Sequence, residues 1–155
     1  MLLMLEDYLT LLKALHDQLG RTIEGLPLAA LDWSPGPDMN SLSVLIAHTA
    51  GAERYLIGDV AGRDPSGRDR DAEFRARGLD AATLSAQLGA ALEHSRAVLE
   101  HLTLPDLEAR RVMPRRDDRQ VTVAWALGHA LEHAALHLGH AQIVRQLWDQ
   151  RPSSA

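Results

Sequence analysis

The sequence predicts an all-α protein, a four-helix bundle with long crossover loops, and three observations carry that expectation. Hydrophobic residues make up 46% of the 155 positions while only six are aromatic, and the dominance of Leu and Ala favours helix over sheet. Four stretches repeat their apolar residues at spacings of three and four, the signature of a helix face. Clusters of Gly and Pro separate these stretches, and no strand-like alternation intervenes. Four amphipathic helices without strands bury their stripes against each other. The length is that of one compact domain, taken as residues 1–155.

The first helix is expected from about residue 3 to 24. Its stripe runs Leu2, Leu5, Leu9, Leu12, His16, Leu19, Ile23 and Leu26. The segment "GLPLAALDWSPGPDMN" then breaks it with Gly25, Pro27, Pro35 and Pro37. The second helix is expected from about 41 to 60, with Asn40 or Ser41 as N-cap. The third starts after a cap at Asp80, ends near Leu102 and carries Leu84, Leu88, Ala91, Ser95, Val98 and Leu102 on one face. The fourth covers about 122 to 148, with Pro152 beyond it. Two polar connections, 61–80 and 103–120, are long enough to hold short turns of their own, one expected at 70–77.

Composition narrows the function classes. The chain has no cysteine, which excludes disulfides, thiolate zinc sites and a cysteine nucleophile. A bound metal would need nitrogen or oxygen donors. The formal net charge of -5 gives no global attraction for nucleic acid or an anionic membrane. Of the sixteen basic residues only Lys13 is not Arg, a bias read as genomic. No stretch approaches eighteen apolar residues and the N-terminus lacks the charge pattern of a signal peptide, so the expected location is cytoplasmic.

The chemistry concentrates in "HALEHAALHLGHAQ", residues 129–142, where four of the chain's eight histidines fall. At about 100° per residue, His129, His133, His137 and His140 occupy an arc of roughly 80° on the fourth helix. Leu136, Val144 and Leu147 lie on or near that arc, so the imidazoles are expected to face apolar neighbours. Each buried imidazole carries a donor and an acceptor that need partners. His133 and His137 have the i, i+4 spacing that lets two histidines ligate one ion. His48, inside the apolar run "SLSVLIAHTAGAERYLI", is the strongest third donor, because bundle cores build such sites from facing helices. His16 interrupts an apolar stripe and is a second choice. His129 and His140 stay open as ligands, hydrogen-bonding partners of ligands or cavity lining. His94 and His101 are expected at the surface.

With His48, His133 and His137 together, the chain resembles the DinB/YfiT-like family of metal-binding four-helix bundles. The likeness spans nearly the whole chain. It includes "DWSPGPDMNSLSVLIAHTAGAERYLIGDV", "RDRDAEF" in the crossover and "VTVAWALGHALEHAALHLGHAQIVRQL" at the end. The resemblance implies an up-down bundle with a divalent metal on His48, His133 and His137. In the mycothiol-dependent branch some members have Glu where this chain has His133, and the DinB pattern often has Gln in place of His140. The resemblance also implies a metal-dependent S-transferase or isomerase that activates a low-molecular-weight thiol such as bacillithiol, mycothiol or glutathione.

Three neutral imidazoles suit Zn, Ni, Cu and Fe, with Zn or Ni expected. Three protein ligands leave an open position, as in catalytic zinc sites, where a thiol or a water can be activated. Arg110, Arg111, Arg115, Arg116 and Arg119 form a loop able to pair with a thiol of this class that bears carboxylates, with Arg115 and Arg116 as the expected cofactor contacts. A non-catalytic, stress-associated metal-binding bundle and a metal-dependent hydrolase are the alternatives. The fourth helix carries a second stripe, Leu127, Leu131, Ala134, Leu138 and Ala141, roughly opposite the histidines. That stripe predicts a homodimer, since one face would close on the metal and the other would need a partner.

Overall fold

A computed structural model describes residues 1–114, 117 and 119–151. Four long helices form its body. They are α1 (Leu3–Ile23), α3 (Leu42–Glu53) with a π-helical continuation Arg54–Gly62, α5 (Ala81–His101) and α7 (Val123–Asp149). Three short helices sit in the connections: α2 (Leu28–Leu31), α4 (Arg70–Phe74) and α6 (Leu104–Glu108). The four-helix bundle with long crossovers is therefore the fold, and α4 is the short turn expected at 70–77. Among the described residues no helix is long and apolar enough to cross a membrane.

The helix starts follow their caps. Ser41 Oγ accepts from the Val44 amide at 3.3 Å, Asp80 Oδ1 from Thr83 at 2.7 Å and Thr122 Oγ1 from Trp125 at 3.1 Å. Each satisfies an amide that the first helical turn leaves without a carbonyl. Asn40 is not used as a cap; Ser41 is.

Around the bundle the order is α1, α5, α3, α7, because α1 packs on α5 and α7, and α3 packs on the same two helices. Consecutive helices α1 and α3 thus face each other across the diagonal, as do α5 and α7. A diagonal step has to cross the end of the bundle, which gives a physical reason for the long connections before α3 and before α7.

Two features lay outside the sequence reading. The second helix leaves α geometry at Arg54, and the wider π turns bury Tyr55, Leu56, Ile57 and Gly58 in succession. Such widened turns are rare and recur at functional sites. The expectation of no strands also needs correction, because Arg110–Val112 (β1) pairs antiparallel with Gln120–Thr122 (β2) in a small ribbon. Three-residue strands are too short to display a period of two.

The core falls into two clusters. One packs Leu5, Leu9 and Leu12 of α1 against Leu56, Val60 and Ala126, and the other packs Leu19, Ile23, Leu42, Ile46, Leu84 and Leu138. A polar network sits inside this framework. His16 on α1 and Glu53 on α3 are buried, with Nε2 and Oε2 2.5 Å apart. His16 Nδ1 donates to the Leu88 carbonyl at 3.1 Å, and Ser95 Oγ donates to Glu53 Oε1 at 2.7 Å. His16 is thereby a tie between α1, α3 and α5 and does not join the other histidines.

The second stripe of α7 has a different role from the one expected of it. Leu127, Ala134, Leu138 and Ala141 are buried within the single chain, and Leu131 is partly buried against the same core. This stripe is the core face of α7, so it offers no surface to a partner and the argument for a homodimer drawn from it fails. Conversely, Leu136 and Leu147, which share the histidine arc, are exposed, while Val144 is buried. The histidines occupy the flank of α7, where α3 and the 63–80 crossover cover part of them.

Candidate metal centre and its pocket

His48 projects from the buried face of α3, and His133 and His137 project from successive turns of α7. His133 Nε2 lies 3.2 Å from His48 Nε2 and 3.1 Å from His137 Nε2. One ligand atom from each lies within 4.8 Å of the others, the only such group of three or more potential metal ligands among the described residues. His48 is buried, and the other two are partly so.

The hydrogen-bond chemistry of the cluster is informative. His48 Nδ1 faces Glu73 Oε2 at 2.8 Å. Arg68 Nη2, which only donates, lies farther off at 3.4 Å from the same Nδ1. The shorter contact, to a carboxylate that only accepts, assigns the proton to Nδ1, and Nε2 presents its lone pair to the cluster. His133 Nε2 faces both other Nε2 atoms. If it donates to His48, its single proton cannot fully serve His137 as well. If it accepts from His137, its lone pair meets that of His48. No arrangement of neutral imidazoles satisfies both short contacts, whereas a cation between them satisfies all three lone pairs. His137 Nδ1 is buried with no hydrogen-bond partner. The donor set therefore fits a divalent ion.

Burial and neighbouring charge keep His133 and His137 neutral. Burial, reinforced by His137 and His48 nearby, pushes His133 down to about 3. Burial and the proximity of His48 and His140 push His137 down to about 4. A ligating imidazole must be unprotonated, so both are ready to bind near neutral pH.

Glu73, on α4, belongs to this centre although the sequence reading did not single it out. Arg68 grips it with Nε–Oε1 and Nη2–Oε2 distances of 2.6 Å each. Burial alone would raise its carboxyl, but the hydrogen bonds from Arg68 and His48 outweigh that and hold it below the usual carboxylate range. The Phe74 ring covers the His48 ring at 4.5 Å between centroids. The only sequence-level sign is the quoted run "RDRDAEF", which contains Arg68, Glu73 and Phe74.

A cavity of about 430 Å³ opens beside His48 and His133, with Tyr55, Arg68, Arg70, Arg119, Trp125 and His129 in its wall. Trp125 meets the His129 ring, stacked at 4.8 Å between centroids, and the Arg119 guanidinium, 4.8 Å from its ring centroid. Arg70 lies 4.5 Å over Phe74. A larger and more open groove of about 750 Å³ lies between α3, α4 and α5 but touches none of the three imidazoles.

The remaining sequence candidates divide clearly. His129 reaches the cavity and its Nδ1 pairs with Glu132 at 3.1 Å. His140 stands beside His137 at 5.6 Å between rings and is exposed. His94 is half-buried and pairs with Asp64 at 2.8 Å, and His101 is exposed as expected. Arg119 reaches the cavity, and Arg111 lies 3.9 Å from Asp106. Arg115 and Arg116 lie outside the described residues.

The sequence model of the mycothiol-S-transferase family matches residues 7–150. No curated protein matches the chain. Among solved structures, a conserved protein from Enterococcus faecalis superposes with a TM-score of 0.79 at 17% identity, covering 94% of this chain and 97% of that one. YfiT from Bacillus subtilis, described as a probable metal-dependent hydrolase with an unusual four-helix bundle topology, gives 0.71 at 17% identity over 92% of this chain and 86% of that one. A variant of the mycothiol-dependent maleylpyruvate isomerase gives 0.64 at 16% identity, over 87% of this chain and 59% of that one. At these identities the likeness establishes the bundle fold.

Proposed function

The chain belongs to the mycothiol-S-transferase family, and on that premise we propose that it is a metal-dependent enzyme joining a low-molecular-weight thiol to a small electrophile. His48, His133 and His137 are the metal ligands in this reading, with Zn or Ni as the ion. The observation that carries it is the convergence of three imidazole nitrogens, with His48 and His133 at the wall of a cavity that also holds arginines. A divalent ion on neutral imidazoles supplies a Lewis acid that favours the thiolate form of a bound thiol. In the transfer, the thiol proton leaves, sulfur bonds to carbon of the electrophile, and the leaving group departs with its electron pair.

The residues of this chain supply the rest. Glu73 and Phe74 hold His48 in one ring orientation. Arg70 and Arg119 stand over aromatic rings at the cavity, and neither has a carboxylate partner among the described residues. They fit a thiol carrying carboxylates, such as bacillithiol or glutathione, by charge-assisted hydrogen bonds, and mycothiol, which has hydroxyls and no carboxylate, through its hydroxyl oxygens. Arg115 and Arg116, close to Arg119 in the sequence, stay in this reading as proposed cofactor contacts. Tyr55 and Trp125 give the cavity an apolar wall for the electrophile.

The test has two arms. Metal content is measured by mass spectrometry for wild type and for His48→Ala, His133→Ala and His137→Ala. Each variant should lose the ion, and full retention in any of them removes that residue from the set. Transfer is then assayed with mycothiol, bacillithiol and glutathione against monochlorobimane. Rates should fall on chelation, and equal rates with and without metal for every thiol would end the reading. Ester or amide turnover without added thiol would favour a hydrolase instead, and metal binding without turnover a non-catalytic metal-binding bundle.

A further inference from the structure

We infer that Gly51 and Glu73 form one device, in which the bare backbone of α3 makes room for a carboxylate that sets the tautomer and aim of His48. The inference rests on the three-histidine metal site proposed above. Gly51 lies on α3 one turn beyond His48. A Cβ built there would fall 2.0 Å from Glu73 Oε1 and 2.6 Å from Glu73 Cδ. No side chain can occupy that space while Glu73 stays where it is. Glycine interrupts a helix at some cost in stability relative to Ala, and what it allows here is specific: the Glu73 carboxylate lies against the helix surface with Oε2 2.8 Å from His48 Nδ1.

The carboxylate is fixed from the other side as well. Arg68 takes both oxygens, so Glu73 cannot rotate away without losing two charge-assisted bonds. Both Glu73 and Arg68 are largely buried, with side chains about one-tenth exposed. They come from the 63–80 crossover, a segment that contributes none of the three imidazoles. Its packing on α3 is therefore part of the metal centre. Glu73 is a positioning residue. With Nδ1–H held by the carboxylate, His48 must present Nε2 to the cluster, and that is the nitrogen found 3.2 Å from His133 Nε2.

The full-length protein with Glu73→Ala, Glu73→Gln and Gly51→Ala tests this, with Gly89→Ala as the control because no atom lies within 4 Å of a Cβ there. The first readout needs no metal. In the chelated protein, long-range 15N NMR should show His48 protonated at Nδ1 in wild type and in Gly89→Ala. That preference should weaken in Glu73→Ala and Gly51→Ala. The second readout is Zn affinity by competition with a chromophoric chelator, with the d–d spectrum of the Co-substituted site alongside. Losing such a partner typically weakens metal affinity about 10–100-fold, so Glu73→Ala and Gly51→Ala should fall in that range with altered Co spectra. Glu73→Gln, which keeps an oxygen acceptor for Nδ1–H, should recover part of the loss. Circular dichroism should show all four variants folded. An unchanged tautomer together with Zn affinity within threefold of wild type in both Glu73→Ala and Gly51→Ala would overturn the inference. A wild type that binds no Zn yet keeps the His48 tautomer would instead refute the metal site and leave the Gly51–Glu73 device standing.

Discussion

Replacing Glu53 by Ala should destabilise the fold more than any other single polar substitution in the bundle. The Glu53 side chain is 1% exposed and that of His16 is 5% exposed. Glu53 accepts from Ser95 and is bonded to His16, whose other nitrogen donates to Leu88. Whichever partner holds the proton between His16 and Glu53, the bond is made. Truncation leaves His16 Nε2 and Ser95 Oγ buried without a partner, each at about 1–3 kcal/mol. Removing one member of a buried charged pair costs about 3–5 kcal/mol. These figures describe the same loss, so the expected destabilisation is about 3–5 kcal/mol. At about 2–4 °C per kcal/mol for a chain of this size, the midpoint should fall by about 6–20 °C. Urea unfolding in the presence of a chelator gives the measurement without metal linkage. A combined His16→Leu, Glu53→Met and Ser95→Ala variant removes the whole network at similar volume and should lose less than Glu53→Ala alone. A Glu53→Ala variant within about 1 kcal/mol of wild type, or losses that simply add, would refute the reasoning.

Three further outcomes follow from the same geometry. His133 and His137 resist protonation when folded, at about 3 and about 4 against an ordinary 6.5. Below 6.5 the unfolded chain therefore binds more protons, so the stability of the metal-free protein should fall as pH drops from 6.5 toward 4. His133→Gln with His137→Gln should flatten that slope in chelated urea titrations, and an unchanged slope would contradict the assignment. Leu138→Ala should cost about 2–5 kcal/mol in the same assay, as a buried core leucine does, and a loss below 1 kcal/mol would mean the stripe is not core. Arg119→Ala with Arg70→Ala should raise KM for a carboxylate-bearing thiol about tenfold or more while changing kcat less, and equal KM values would exclude them from thiol recognition.

Much of this architecture was legible because it is written in local periodicity. The stripes of α1 and α5 predicted their buried faces, with Leu5, Leu12, Leu19, Leu84 and Leu88 all inside. Asp80 and Ser41 marked helix starts through hydrogen bonds made within three residues. His48, His133 and His137 were findable because two of them share a helix turn and the third interrupts an apolar run. Glu73 was not, since a Glu in an arginine-rich polar segment has the composition of a solvated surface. Only the tertiary approach of that segment to Gly51 makes it a partner of His48. Likewise nothing local marks Glu53, because its partners are 37 and 42 residues away. The π segment has no periodic signature distinct from an ordinary helix.

The two faces of α7 show why periodicity alone misassigned the direction of burial. A wheel identifies two apolar arcs but not which one meets the core. Because burying imidazoles demands an explanation, the wheel favours the histidine arc as the inner face and offers the Leu and Ala stripe to a partner. The physics of packing decides otherwise. Leu127, Ala134, Leu138 and Ala141 gain most from complete burial, and small residues at two of those positions let α7 lie close to its neighbours. The imidazoles then fall on the flank, where α3 supplies His48 and the crossover supplies Glu73, while one side stays open to the 430 Å³ cavity. A site at the bundle axis would be surrounded on every side by helices and closed to any ligand from solution. On the flank the helices carry the imidazoles together with Tyr55 and Trp125, and the connecting segments bring Arg68, Arg70 and Arg119 to the open side.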